Sequence, residues 1–511
     1  MSDIQNNNKR LAKNTVVLYL RMFFSLVIQL FTSRLVLQAL GVEDYGIYNV
    51  VGGVVATLSF INMSLSNANS RFISVELGAG RVDRLKHLFS CIITIHYIFA
   101  IIVLLLAETV GLWFVLNKLV IPAERMTAAI VVYQCSVISS IITIISSPYN
   151  GLIIAHERMS AFAIISILST VSNFLIALLL FISPIDRLIA YSILHVIVQL
   201  IIRIIYIVYS RNNFPESKYI LCWDNKISKN VLSFAGWTLT GNLSVIGYTQ
   251  GLNILLNIFF GAIVNAARGI STQVQNAVRM FSSSFQTAIN PQIMKSYASG
   301  EYKRMQNLII TSSRLSFYLM LIVSLPLCMH TEYILELWLT NVPEHSAIFV
   351  QIILAVSLIH TLQNPTMTAI HATGCIKNVQ IIESILLLSV VPIAYVCLKY
   401  FHCPPETVYI VYFIIEFITQ FVRVFMIFPK VKIPISNYFL KVFFPISLVT
   451  SLALLVALSY AQYVKVNSIL SLLYSVIFYI ISTAIIAYIF GLSNAEKKYI
   501  KSYIIKILRR S

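Results

Sequence analysis

Four arginines, Arg21, Arg34, Arg268 and Arg279, stand inside stretches otherwise too apolar for water. An arginine at the centre of a bilayer helix costs about 2.5–3.5 kcal/mol even on the lenient insertion scale, so each must face water or a partner. Arg279 is the deepest, well inside the run "VNAARGISTQVQNAVRMFSSSFQTAIN". On a helix with about 100° per residue, Arg268, Gln275, Arg279 and Gln286 fall within about 20° of one line, a single polar stripe. Acids in the apolar stretches are few: Glu108, Glu383 and Glu416. Each is a candidate coupling-ion site, but Glu108 lies near an outer end and Glu383 and Glu416 stand in the less polar helices. Several arginines among few acids select an anion, and the planar guanidinium fork matches phosphate oxygens two at a time. Arg21, Arg34, Arg268, Arg279 and Gln275 are therefore the candidate substrate-binding residues. Arg203, Arg314 and Arg423 lie within two turns of a helix end, where a long side chain reaches the interface by snorkelling. The histidines at 96, 195, 330 and 360 read as packing groups. None of the seven cysteines forms a C-x-x-C pair, so they read as small apolar residues between helices. Their spacing supports neither a zinc site nor a disulfide framework, and no cofactor or metal is expected.

The elements that must carry these side chains are membrane helices. Of 511 residues, 58% are hydrophobic and 11% charged, against about 45–50% and 25% in a soluble domain. The excess lies in runs of about 20 residues, the length that crosses a bilayer core. The fold class is all-α, a polytopic membrane protein with 14 predicted spans: 14–40, 45–70, 88–113, 126–147, 160–183, 188–210, 231–258, 262–290, 308–330, 346–364, 379–398, 407–428, 438–461 and 467–490. Spans 1, 2, 7 and 8 are the polar ones. Span 2 carries Asn49, Thr57, Ser59, Asn62, Ser64, Asn67 and Asn69; span 7 carries Thr238, Asn242, Asn253 and Asn257. Residues 442–464 hold no charge. The polar, basic start shows no small-residue cleavage site, so no removable signal peptide is expected.

Of the 37 basic residues, 25 fall on the termini and the even-to-odd connections, five on the opposite connections (Lys118, Arg125, Arg187, Lys399, Lys465), and seven within spans. The positive-inside rule then puts both termini in the cytoplasm. The net charge of +18 is thereby a topology signal and no argument for nucleic acid. An alkaline phosphatase fused after Ser511 should be inactive; strong activity would overturn the span parity and the orientation together.

The chain says some things twice. "SPYNGLIIAHERMSAFA" (147–163) is echoed by "NPTMTAIHATGCIKNVQ" (364–380), with Pro148 on Pro365 and Ala155 on Ala372 at an offset of 217. "GAGRVDRLKHLF" (78–89) is echoed by "ASGEYKRMQNLI" (298–309), with Gly80 on Gly300 and Arg84 on Arg304 at an offset of 220, which Gly41 and Gly261 share. Both echoes are expected as cytoplasmic loops, the first pair at 148–158 and 365–375. Six spans is an even number, so the copies run the same way through the membrane. The result is a parallel repeat, as in some transporters whose substrate site lies at the repeat interface. The domains expected are an N-lobe at 1–210, a C-lobe at 211–428, and helices 13 and 14 with a cytoplasmic tail at 429–511.

The stretch "LGVEDYGIYNVVGGVVATLSFINMSLSNANSRF" (40–72), followed by "GAGRVDRL", resembles the polysaccharide-exporter branch of the multidrug/oligosaccharidyl-lipid/polysaccharide exporter superfamily, which includes O-antigen and capsule repeat-unit flippases. In layout the resemblance spans the chain; in motif it is confined to the first two spans. It implies a V-shaped pair of lobes around a cationic cavity, moving a polyprenyl-pyrophosphate-linked oligosaccharide outward by alternating access. It implies substrate contacts at Arg21, Arg34, Arg268 and Arg279, and a lipid-tail groove at helices 13 and 14. The partners implied are the lipid-linked anionic oligosaccharide and membrane lipids, with the polysaccharide polymerase and chain-length proteins as candidates.

Two readings from the same superfamily compete. A cation-coupled multidrug antiporter wants intramembrane carboxylates and 12 helices. A peptidoglycan lipid-precursor flippase shares 14 helices and a cationic cavity. A membrane glycosyltransferase or polymerase needs acid–base residues in a sizeable outer loop. The longest here, 331–345, offers only Glu332, Glu336, Glu344 and His345, so no enzyme is expected. The sugars, the coupling ion and the oligomeric state are not written in the chain.

Overall fold

The computed structural model describes residues 2–498 apart from 57–58, 120, 340–341, 465 and 495. Thr57, Lys465, the tail from 499 and the side chains of Asn49, Ser59, Lys118 and Asn257 lie outside the described residues. Helices make up nearly all of the rest, with no strand among the described residues: α1 (Ser2–Ala56), α2 (Ser59–Gly78), α3 (Val82–Leu106), α4 (Leu112–Lys118), α5 (Met126–Ala155), α6 (Met159–Leu179), α7 (Arg187–Asn213) and α8 (Asn225–Ala298). After these come α9 (Tyr302–Met329), α10 (Thr331–Trp338), α11 (Ser346–Thr373), α12 (Lys377–Tyr400), α13 (Thr407–Ile427), α14 (Ile435–Tyr438), α15 (Phe444–Tyr463) and α16 (Ile469–Ile486).

Among the described residues, twelve helices are long and apolar enough to cross a membrane. The described residues of the two expected spans missing from that set, at 45–70 and 262–290, are nonetheless helical. They are the polar repeat mates. α1 breaks at Gly41, whose φ of 79° suits a residue without Cβ, so spans 1 and 2 separate there. α8 is one helical run of 74 residues, about 110 Å if straight. Yet Arg268 Nη2 donates to the Thr249 carbonyl at 2.9 Å. Nineteen residues of straight helix would separate these groups by about 28 Å, so the run doubles back between them and remains two passes. The fourteen-span reading is consistent with this arrangement.

Packing divides the chain into two compact units, residues 1–243 with 287–301, and residues 244–286 with 302–511. The boundaries at 210 and 428 divide the chain by duplication, these units by contact. The first unit has a core of Val51, Val115, Val132, Tyr133 and Leu188; the second centres on Leu256, Phe349, Val390 and Val408. Apolar side chains also cover the outside: Ile164, Leu175 and Ile182 on α6 and its last turn, Leu455 on α15 and Leu470 on α16 are all exposed. A band of this kind belongs against lipid.

The two copies of the sequence repeat share local devices. Gly80 and Gly300 both take left-handed φ (68° and 76°). They close α2 and α8 with the same pair of backbone bonds, Arg81 N to Glu76 O at 3.2 Å and Glu301 N to Ser296 O at 2.9 Å being the outer members. At the start of α5, Arg125 bridges to Asp44 and to Asp186 at the start of α7. At the start of α11, His345 bridges to Glu406 at the start of α13. Arg125 and His345, Asp186 and Glu406, are each 220 residues apart. The Arg125 guanidinium holds the Asp186 carboxyl below its ordinary range.

The paired segments at 148–158 and 365–375 are not loops. α5 continues through Pro148 to Ala155, and α11 through Pro365 to Thr373. Proline ends neither helix, because packed neighbours can re-satisfy the backbone it leaves open. Pro365 has no N–H for the Thr361 carbonyl, and Gln286 Nε2 supplies that bond at 3.0 Å. The true turns follow at Glu157 (φ 59°) and Gly374 (φ 78°), again 217 apart. Left-handed φ costs a glutamate about 1–3 kcal/mol. Its buried carboxylate accepts from Lys295 Nζ at 3.0 Å and Gln292 Nε2 at 3.2 Å, both on the returning end of α8.

Candidate functional site

In the second unit the α8 stripe lies along α11. Gln275 Nε2 donates to Ser357 Oγ at 3.2 Å, and Gln286 reaches the Thr361 carbonyl one turn further on. Arg268 is buried, donating from Nε to Asn253 Oδ1 and sitting 5.7 Å from the centre of the Tyr409 ring. Arg279 lies between the two glutamines, half-buried. Among the described residues no carboxylate approaches its guanidinium within 4 Å.

Beside the stripe sits a polar group that depth along the chain did not reveal. Arg423, read as a snorkelling side chain, is only 1% exposed. It donates to Glu383 Oε1 at 2.6 Å, Glu416 Oε1 at 2.7 Å and Gln420 Oε1 at 3.3 Å. Gln363 Nε2 also donates to Glu383, at 2.8 Å. From Gln363 a line of 2.8 Å bonds runs through His360 and Tyr412 to Tyr248. Burying an ion among apolar helices costs several kcal/mol unless it is paired and hydrogen-bonded, and this pairing, not reach to an interface, answers that cost. The second oxygens of Glu383 and Glu416 are buried without a hydrogen bond among the described residues. Two carboxylates to one guanidinium leave one negative charge, which a proton or small cation can balance. Arg314 is likewise no snorkeller: it is buried and bridges to Glu496 at 2.5 Å.

The first unit holds a cavity of about 480 Å³ lined by Tyr48, Asn62, Ser136, Ser139, Thr143 and His195 among others, with no charged side chain in its wall. Ser136 and Thr143 return their protons to their own helix, to the carbonyls of Val132 and Ser139. Asn62 Oδ1 is buried and unpartnered among the described residues. Arg203 Nη2 reaches Thr143 Oγ1 at 3.4 Å. Arg21 is half-buried, its guanidinium 4.9 Å over the Phe162 ring, and Arg34 is exposed. Glu108 accepts from Gln134 Nε2 at 3.1 Å. The structure thus brings Arg268, Gln275 and Arg279 onto one docked face of the second unit and keeps Arg21 and Arg34 in the first. Sequence reasoning missed the Arg423 group. The only signal was an arginine seven residues after a glutamate, two helical turns, which puts both on one face.

No family model matches the chain, and no curated protein matches it. Solved structures do. A crystal structure of a single-site MATE mutant superposes with a TM-score of 0.71 over 83% of this chain and 96% of that one, at 13% identity. The protein has the MATE fold. An outward-facing multidrug resistance MATE family transporter of the MOP superfamily gives 0.69 at 14% identity, covering 83% of this chain and 96% of its own. A MOP superfamily transporter from Pyrococcus furiosus, described as having a binding pocket of reverse polarity that suggests a different function, gives 0.65 at 14% identity over 83% and 96%. At these identities the likeness to MATE structures is one of fold.

Proposed function

We propose that this MATE-fold protein is an exporter that moves a polyprenyl-pyrophosphate-linked oligosaccharide, an O-antigen or capsule repeat unit, outward by alternating access. The observation that carries the reading is the charge left over in each unit. Glu383 and Glu416 of the predicted spans pair with Arg423, and Glu108 accepts from Gln134. Arg21, Arg34 and Arg279 have no carboxylate partner among the described residues. Their counter-charge is then supplied from outside the protein, by an anion such as a pyrophosphate. The hydroxyl and amide wall of the first-unit cavity suits the sugars. The Pyrococcus furiosus transporter supports the idea that this fold accommodates pockets of differing polarity.

A multidrug antiporter is the second reading. It is favoured by the buried Glu383–Glu416 pair, whose free oxygens offer a site for a proton exchanged against substrate. The two separate in proteoliposomes given, in parallel, a fluorescent polyprenyl-pyrophosphate glycan and a cationic dye. Translocation of the glycan alone is the expected result; translocation of the dye alone overturns the proposal in favour of the antiporter.

A further inference from the structure

At the start of α3 in the first unit, three soft ligands converge from distant parts of the chain. His87 and Cys91 lie four residues apart, on one face of the helix. Cys222 comes from the segment that leads into α8, 131 residues away from Cys91. Their ligating atoms all lie within 4.8 Å of one another. The segment carrying Cys222 is held there independently, by the Ile220 N–H donating to Ser90 Oγ at 3.4 Å and by Tyr219 OH against Thr94 Oγ1 at 3.3 Å.

We propose that His87, Cys91 and Cys222 bind one zinc ion, with Asp224 orienting the histidine. Zinc takes thiolate sulfur at about 2.3 Å and imidazole nitrogen at about 2.0 Å; two such bonds at a tetrahedral angle place S and N about 3.5 Å apart. His87 Nδ1 and Cys222 Sγ are 3.5 Å apart. The two sulfurs, 2.8 Å apart, part by about 1 Å to reach tetrahedral spacing. Asp224 Oδ2 lies 3.4 Å from His87 Nε2. A carboxylate there accepts the Nε2 proton and leaves the Nδ1 lone pair for the metal, the arrangement that supports most histidine ligands. The other oxygen, Asp224 Oδ1, caps α8 by accepting from the N–H groups of Lys226 and Ile227. Orienting a ligand and starting a helix are thus tasks of one side chain. The site lies on the face that the basic excess assigns to the cytoplasm, and in a reducing compartment paired cysteines serve as metal ligands more often than as disulfides. Bound zinc would staple the linker between the two repeats to α3, adding its binding free energy to folding.

The test uses the full chain, purified in detergent under reducing conditions without chelator. Elemental analysis should find about one zinc per chain. Replacement by Co²⁺ should give the near-ultraviolet thiolate-to-cobalt band, lost in Cys222→Ser. Asp224→Asn keeps the helix cap and should keep the band while weakening affinity about 10–100-fold. Maleimide labelling of Cys222 in the unaltered protein should rise when zinc is chelated, a readout that needs no variant to fold. Trace zinc with no cobalt band in reduced protein overturns the proposal. So does recovery of a Cys91–Cys222 disulfide from cells alkylated before lysis.

Discussion

Arg423→Ala is expected to remove most of the folded protein from the membrane, read as loss of the monodisperse peak after detergent extraction. The substitution strands two carboxylates that are nearly or fully buried, at 7% and 0% side-chain exposure. Breaking a buried pair by deleting one partner costs about 3–5 kcal/mol, a large fraction of the 5–15 kcal/mol that typically separates folded from unfolded chains. Replacing a whole buried ionic group by apolar side chains of similar volume is often neutral. A triple variant, Arg423→Met with Glu383→Gln and Glu416→Leu, should therefore recover the folded peak, with the new amide still able to bond Gln363. Whether it also transports separates the two duties of the group. Recovered folding without transport means the carboxylates handle a proton or ion; recovery of both means they are scaffold. A fully folded Arg423→Ala would refute the pairing itself.

Arg279→Ala is expected to abolish translocation of the lipid-linked glycan at unchanged protein level. The side chain is half-buried between two glutamines already committed to α11. No carboxylate meets it among the described residues, so its removal strands no partner and the fold has little to lose. A hydrogen bond to a charged group is worth about 1.5–3 kcal/mol, and each 1.4 kcal/mol is tenfold in affinity. Loss of a two-pronged contact with pyrophosphate then reaches a hundredfold or more. Arg279→Lys should recover only part of this, because the charge returns without the fork. Parental transport by Arg279→Ala would sink the role in substrate binding. Loss of the folded peak instead would mean that Arg279 serves the fold, and would overturn its assignment to substrate.

Much of the architecture was legible because it rests on short-range signals. Run lengths place the helices, and two nearly equal offsets expose the repeat. What failed was everything set by how helices turn toward one another. Arg423 and Arg314 read as interface-seeking because depth along a span is visible in one dimension, whereas Glu383 and Glu496 arrive from other helices. Cys91 and Cys222 carry no pattern because 131 residues separate them. The segments from Pro148 and Pro365 read as loops because the donor that satisfies the backbone at the second of them, Gln286, lies 79 residues upstream.

The changing offset between the two repeats records how each kind of segment accepts editing. From Arg125 to Pro148 is 23 residues, and from His345 to Pro365 is 20, so α11 has three residues fewer than α5 before its proline. Three residues are close to one turn, shortening the rod by about 4.5 Å while rotating the rest of the helix by only about 60°. One or two residues would have swung the buried face toward lipid. The next helices have equal length, 24 residues each at 159–182 and 377–400. The deficit is made good around them: one residue stands between Glu157 and Met159 against two between Gly374 and Lys377, and four follow Ile182 against six after Tyr400. Connections can absorb any number, since each added residue costs little in closure. The two copies thus differ by about a whole turn where they are packed and by single residues where they are not. A designer wishing to lengthen or shorten either lobe is bound by the same arithmetic.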